Sequence, residues 1–181
     1  MKILAIDKDT YRQRLNRVII GFILTLMVLA IAFGSTLIAI FAEPMKEIVI
    51  AAGNSEPTSN FKYNFLGVVF ALLSCAAILQ VLKTTSYFHE IYYVWQIKQI
   101  HNLIYRKLKK IKVAAFDNID KNALIVLHYY YISLHQIYVL DDNTLTISSL
   151  EQNHQKLNDL LLSKEISVDI EQFDKKMLAT F

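Results

Sequence analysis

The stretch Val18–Ala42, VIIGFILTLMVLAIAFGSTLIAIFA, runs for about 25 residues without Asp, Glu, Lys, Arg or His. About 20 helical residues cross a hydrocarbon core roughly 30 Å thick. The run therefore predicts a membrane-spanning helix with some tilt, ended by Glu43-Pro44. A secretory signal has an apolar region of only about 7–15 residues, and cleavage after Ala42 would put Ile40 where a small residue is wanted. The segment reads as an anchor rather than a cleaved leader. A second uncharged run, FLGVVFALLSCAAILQVL at Phe65–Leu82, follows Tyr63-Asn64 and is closed by Lys83. Beside the first it reads as a second span.

Lys and Arg near the spans set orientation. Lys2, Lys8, Arg12, Arg14 and Arg17 precede the first span, and Lys83, Lys98 and the cluster Arg106–Lys112 follow the second. The connection carries only Lys46 and Lys62, against Glu43, Glu47 and Glu56. Both termini are thus expected in the cytoplasm and the connection outside. The predicted organisation is a basic N-terminal segment (1–17), a first span (18–42), an extracytoplasmic loop (43–63) with an apolar run at Ile48–Ala52, a second span (64–83) and a cytoplasmic helical domain (84–181).

The whole 181-residue chain fits that plan. It is 54% hydrophobic and 19% charged, whereas an ordinary soluble domain carries about 25% charged residues. A net charge of +3 is too small to argue nucleic-acid binding, and Cys75, the single cysteine, excludes an intramolecular disulfide. After Gly67 the chain contains neither Gly nor Pro. That favours helices joined by Asn/Asp/Ser/Thr turns and excludes a Gly-rich phosphate loop.

Apolar stripes locate the domain's helices. Ser86–Ala115 carries Ile97, Ile100, Ile104, Leu108 and Ile111. Lys121–Val139 carries Leu124, Leu127, Tyr131, Leu134 and Tyr138. A third helix, capped by Thr146 or Ser148, runs to Leu162 with His154 in its seam. A short last helix starts at Ser167 or Asp169 and carries Ile170, Phe173 and Met177. The expected fold is all-α: a transmembrane hairpin followed by an antiparallel bundle of about four helices.

Candidate sites follow from residue type and spacing. Ala30 and Gly34 in the first span, and Gly67, Ala71 and Cys75 in the second, recur every four residues and predict close helix–helix packing. Tyr87, Phe88, Tyr92, Tyr93 and Trp95 are candidates for a membrane-interface belt, or for packing inside the bundle if the helix stands upright. Arg106, Lys107, Lys109, Lys110 and Lys112 are candidates to contact lipid headgroups or an acidic partner, against the plainer reading of a solvated face. His128, Tyr131, His135 and Tyr138 share a stripe that would line a pocket between helices. His154 reads as a hydrogen-bonded core histidine. His89-Glu90 opens like a zinc-protease helix, but Tyr93 stands where HExxH needs its second His. Asp141-Asp142-Asn143 lacks the Gly and distal Glu of a calcium loop and reads as a turn. No metal, cofactor or catalytic constellation is predicted. The spans carry no ionisable residue, which argues against a pump or transporter.

Several strings occur together: Tyr11-Arg12-Gln13-Arg14-Leu15-Asn16-Arg17, Asn64-Phe65-Leu66-Gly67-Val68, Tyr92-Tyr93-Val94-Trp95-Gln96-Ile97-Lys98, Asn102-Leu103-Ile104-Tyr105-Arg106-Lys107-Leu108 and Leu140-Asp141-Asp142-Asn143-Thr144-Leu145-Thr146. On these the chain resembles, over most of its length, a proteobacterial family of two-pass inner-membrane proteins known only as a domain of unknown function. The resemblance implies a bacterial inner membrane and supplies no activity, ligand or catalytic residue. The functional expectation is a non-enzymatic, membrane-anchored interaction or scaffold protein with a protein partner or a second copy of itself. The alternative is a small-ligand sensor or enzyme using the helix-lined pocket.

Overall fold

The computed structural model describes residues 3–42 and 60–181. The connection between the two apolar runs, including Ile48–Ala52, lies mostly outside them. Within the described residues the protein is all-α and has no strand. The helices are α1 (Lys8–Phe41), α2 (Phe61–Leu82), α3 (His89–Phe116), α4 (Lys121–Leu140) and α5 (Ile147–Ser163), followed by two 3₁₀ segments, Ile170–Gln172 and Lys175–Thr180. The chain divides into two units: Met1–Gln13 with His89–Phe181, and Arg14–Phe88.

In the Arg14–Phe88 unit, α1 and α2 run antiparallel. Phe33 meets Phe70 edge-on at 6.2 Å, the Tyr63 hydroxyl donates to the Phe41 carbonyl at 2.7 Å, and Arg14 lies over the Tyr87 ring. Residue numbers thus fall along one helix as they rise along the other. The small residues permit close approach. A Cβ built on Gly67 would stand 2.6 Å from the Gly34 nitrogen and 3.2 Å from the Ala30 carbonyl oxygen. Gly67, Ala71 and Cys75 are buried against α1. The opposite faces of both helices expose Ile, Leu, Val and Phe side chains.

In the other unit α4 is central. Eleven of its 20 residues are buried, so its core extends well beyond the single stripe expected from periodicity. Ile125, Val126, Tyr129 and Tyr130 are buried along with Leu124 and Leu127, whereas Leu134 and Tyr138 are only half-buried. The helix has partners on several sides: α3, α5 and both 3₁₀ segments touch it. Lys98 pairs with Asp141, and His101 with Ser133 further back, so α3 and α4 are antiparallel. His135–Glu151 and Tyr131–His154 give the same sense for α4 and α5.

Among the described residues, three helices are long and apolar enough to cross a membrane: α1, α2 and α4. Burial separates them. The apolar windows of α1 and α2 are 6% and 17% buried, and that of α4 is 61% buried. The apolar character of α4 is accounted for by its position in the bundle core.

Local chemistry ends the helices. Asp120 caps α4 by accepting from the Ala123 amide at 2.8 Å. With no glycine available, the left-handed positions that close helices fall to Ile119, Asp142 and Glu165, with φ of 54°, 58° and 54°. Beyond α5 the Ile166 amide reaches the Leu161 carbonyl and the Glu165 amide the Leu162 carbonyl, the paired bonds of a Schellman stop. The α4 stop repeats the pattern through Asp142 and Asn143. The short last helix expected from the sequence is instead two 3₁₀ segments. Asp169 and Asp174 each cap a new start, and Phe173 between them is extended. That break lets Phe173 stack on Tyr129, with ring centroids 3.9 Å apart. The helix expected from Ser86 begins at His89, after turns over residues 83–88.

Candidate functional site

Three arrangements on the His89–Phe181 unit bring chemically capable groups together. The first is an N-terminal clamp. The Leu4 amide donates to the Tyr93 hydroxyl at 2.8 Å, and Gln136 Nε2 donates to the Leu4 carbonyl at 2.6 Å. One residue is thus gripped from α3 and α4 at once. Further along, Lys8 and Arg12 both pair with Asp142, and Lys98 pairs with Asp141. Asp142 can face the N-terminal cations because it sits in the left-handed turn after α4. These ions are roughly 40% exposed, so each pair contributes at most about 1 kcal/mol. Tyr11 is fully buried. Nothing in the periodicity of the first 13 residues signalled this docking, because the acceptors lie more than 80 residues away in sequence. Tyr93→Phe is expected to weaken the clamp by about 1 kcal/mol. Hydrogen exchange of the Leu4 amide in full-length protein should then rise roughly fivefold.

The second arrangement is a buried dyad. His101 Nε2 lies 2.7 Å from Ser133 Oγ, which is itself 2.6 Å from the Tyr129 carbonyl. A carbonyl only accepts, so Ser133 donates to it and accepts from His101 Nε2–H. His101 Nδ1 is then a buried lone pair with no partner among the described residues. Burial pulls the His101 pKa down to about 4. Ser133 is fully enclosed and its proton is committed to a backbone carbonyl, so the pair is structural and not a nucleophile and base. His101 is one of the five histidines of the chain and lies in no sequence motif. Ser133 had no signal beyond being a hydroxyl in an apolar helix.

The third is a polar cluster in the α4–α5 seam. The His154 ring lies 5.5 Å from His128 and 5.9 Å from Tyr131. His128 Nδ1, Tyr131 Oη and His154 Nε2 are buried with no hydrogen-bond partner among the described residues. His154 is therefore half-buried with an orphaned nitrogen, a correction to its reading as a hydrogen-bonded core histidine. Burial lowers the His128 pKa, and His154 adds to the effect while Asp169 opposes it. Burial and then His135 lower that of His154. Of the four residues expected around one pocket, the structure joins His128 and Tyr131 to His154. His135 instead reaches Glu151 at 3.4 Å and lines a separate cavity of about 480 Å³ between residues 3–8 and α4. Tyr138 lies beside Tyr130.

The remaining candidates are dispersed. Tyr93 is buried, so it belongs to the bundle and not to an exposed aromatic face, while Trp95 is 53% exposed and stacked on Tyr92. Tyr87 is exposed beside half-buried Phe88. Lys107 donates to the Leu178 carbonyl at 2.7 Å, holding the C-terminal segment against α3. Arg106, Lys109 and Lys110 are exposed, and Lys112 is half-buried. Among the described residues no three His, Cys, Asp or Glu side chains gather as metal ligands.

A family model described as a protein of unknown function, DUF3087, matches residues 1–178. The chain belongs to the DUF3087 family. The match takes in both apolar helices and all three arrangements. No curated protein and no solved structure matches this DUF3087 chain.

Proposed function

We propose that the protein is a membrane-anchored, non-enzymatic interaction protein of the bacterial inner membrane, with both chain ends in the cytoplasm and α3 as a docking face for an acidic protein partner. The clamp supports the topology. Residues 3–12 and the bundle form one unit, so the chain between them crosses a bilayer an even number of times, and α1 and α2 supply two crossings. The Lys/Arg asymmetry supports the cytoplasmic side.

The observation that carries the docking face is the outward surface of α3. At about 100° per residue, Trp95, Gln99, Asn102, Arg106, Lys109 and Val113 fall on one side, and all six are exposed. An exposed Trp at one end and cations at the other is the composition of an interface anchor with an electrostatic guide. The test is capture from native expression under mild extraction with a C-terminal tag. Wild type should retain an acidic protein in fixed ratio, and Trp95→Ala with Arg106→Glu and Lys109→Glu should retain about tenfold less. Equal recovery by both would sink the reading.

A second reading, a small-ligand sensor, is favoured by the three orphaned atoms of His128, Tyr131 and His154. A small solute with both donor and acceptor groups would satisfy them.

A further inference from the structure

Within the Arg14–Phe88 unit the two helices are not equally close along their length. At Gly34 and Gly67 they touch backbone to backbone. Towards the other end they leave a cavity of about 210 Å³, walled by Val18 and Phe22 from α1, by Ile78, Leu79 and Leu82 from α2, and by Phe88. Gly21 lines it, and a Cβ built there meets nothing within 4 Å. A helix is about 10–12 Å across, so a second copy's helix does not fit this space. An extended alkyl chain does.

The mouth of the groove is basic. Arg14 continues the Val18–Gly21 face one turn earlier and lies 5.5 Å over the Tyr87 ring, next to the groove residue Phe88. Arg17 lies one turn before Gly21, and Lys83 follows Leu82. Cations at the end of an apolar groove complement a lipid whose phosphate carries the charge and whose chain is apolar.

We infer that the groove holds one acyl chain of an anionic phospholipid, with its phosphate at Arg14, Arg17 and Lys83. The inference rests on the reading that α1 and α2 cross a bilayer. Full-length protein is reconstituted into vesicles of phosphatidylethanolamine and phosphatidylglycerol, floated, extracted into mild detergent and weighed intact by native mass spectrometry. Wild type is expected to float and to retain one phosphatidylglycerol per chain. Gly21→Leu places a side chain in the groove, starting from a Cβ that meets no atom within 4 Å, and is expected to retain about tenfold less lipid through lost chain contacts. Arg14→Gln with Arg17→Gln should abolish the preference for phosphatidylglycerol over phosphatidylethanolamine. Protein that fails to float overturns the spanning reading and this inference together. Protein that floats overturns only the groove inference if it retains no lipid, retains equal lipid with leucine at position 21, or appears as a lipid-free dimer.

Discussion

Lowering the pH from 7 to about 4 is expected to cost the bundle on the order of 3 kcal/mol through His101 alone. The sign follows from the tautomer. Ser133 fixes the proton on Nε2, so acidification would place a second N–H at Nδ1, which is buried and has no acceptor. In the unfolded chain the same imidazole protonates near its ordinary value of 6.5, and in the folded one it resists until about 4. Between those values the unfolded state binds the extra proton. The stability that neutral His101 contributes is therefore complete above pH 6.5 and is lost as pH falls towards 4. His128 and His154 are also depressed by burial, so their contributions carry the same sign. The measurement is the melting of full-length protein in mild detergent, followed by near-ultraviolet circular dichroism across this range. Glutamine can still donate to Ser133 and does not titrate. His101→Gln should flatten the pH dependence by most of the His101 share, and an unchanged slope would refute the assignment.

Gly67→Leu should separate α1 from α2. The added Cβ would stand 2.6 and 2.7 Å from the nitrogen and Cα of Gly34. Both are backbone atoms, so no side-chain rotation relieves the overlap and the helices themselves must move apart. Overpacking typically costs about 1–3 kcal/mol, and a backbone contact belongs at the upper end, roughly a hundredfold in the population of the closed pair. Phe33 and Phe70, with ring centroids 6.2 Å apart, give the readout. Cysteines at those two positions, in a Cys75→Ser background, should cross-link readily with Gly67 present and far more slowly with leucine there. Gly21→Leu is the control, since its Cβ meets no atom within 4 Å and its side chain enters the groove at the other end of the same pair, away from the backbone contact. Equal cross-linking in all three proteins would mean that the glycine contact does not hold α1 to α2.

Local signals in the chain account for most of the fold. The charge-free runs at Val18–Ala42 and Phe65–Leu82 specify α1 and α2, because such lengths of apolar side chain have few stable solutions other than a helix. The stripe around Ile104 specifies α3, and the one through Leu124 and Leu127 specifies α4. Small residues every fourth position marked the faces on which Gly34 and Gly67 meet. Each of these depends on residues within a turn or two of one another. The candidate site was much less legible. Stripe periodicity showed one face of α4 and missed that Tyr129 and Tyr130 are also buried, because partners on several sides are a property of the assembled bundle. It grouped His128, Tyr131, His135 and Tyr138 by helical face, whereas packing with α5 chose His154 as the neighbour of the first two and Glu151 as that of the third. The pairs His101–Ser133, Leu4–Gln136 and Lys107–Leu178 span 32, 132 and 71 residues. Sequence alone determined most of the helical segments, which two carry the long charge-free runs and where most of the turns fall. Only the tertiary structure decided which polar groups are paired, which are orphaned and where the first residues dock, because burial and long-range hydrogen bonds exist only once the helices have packed.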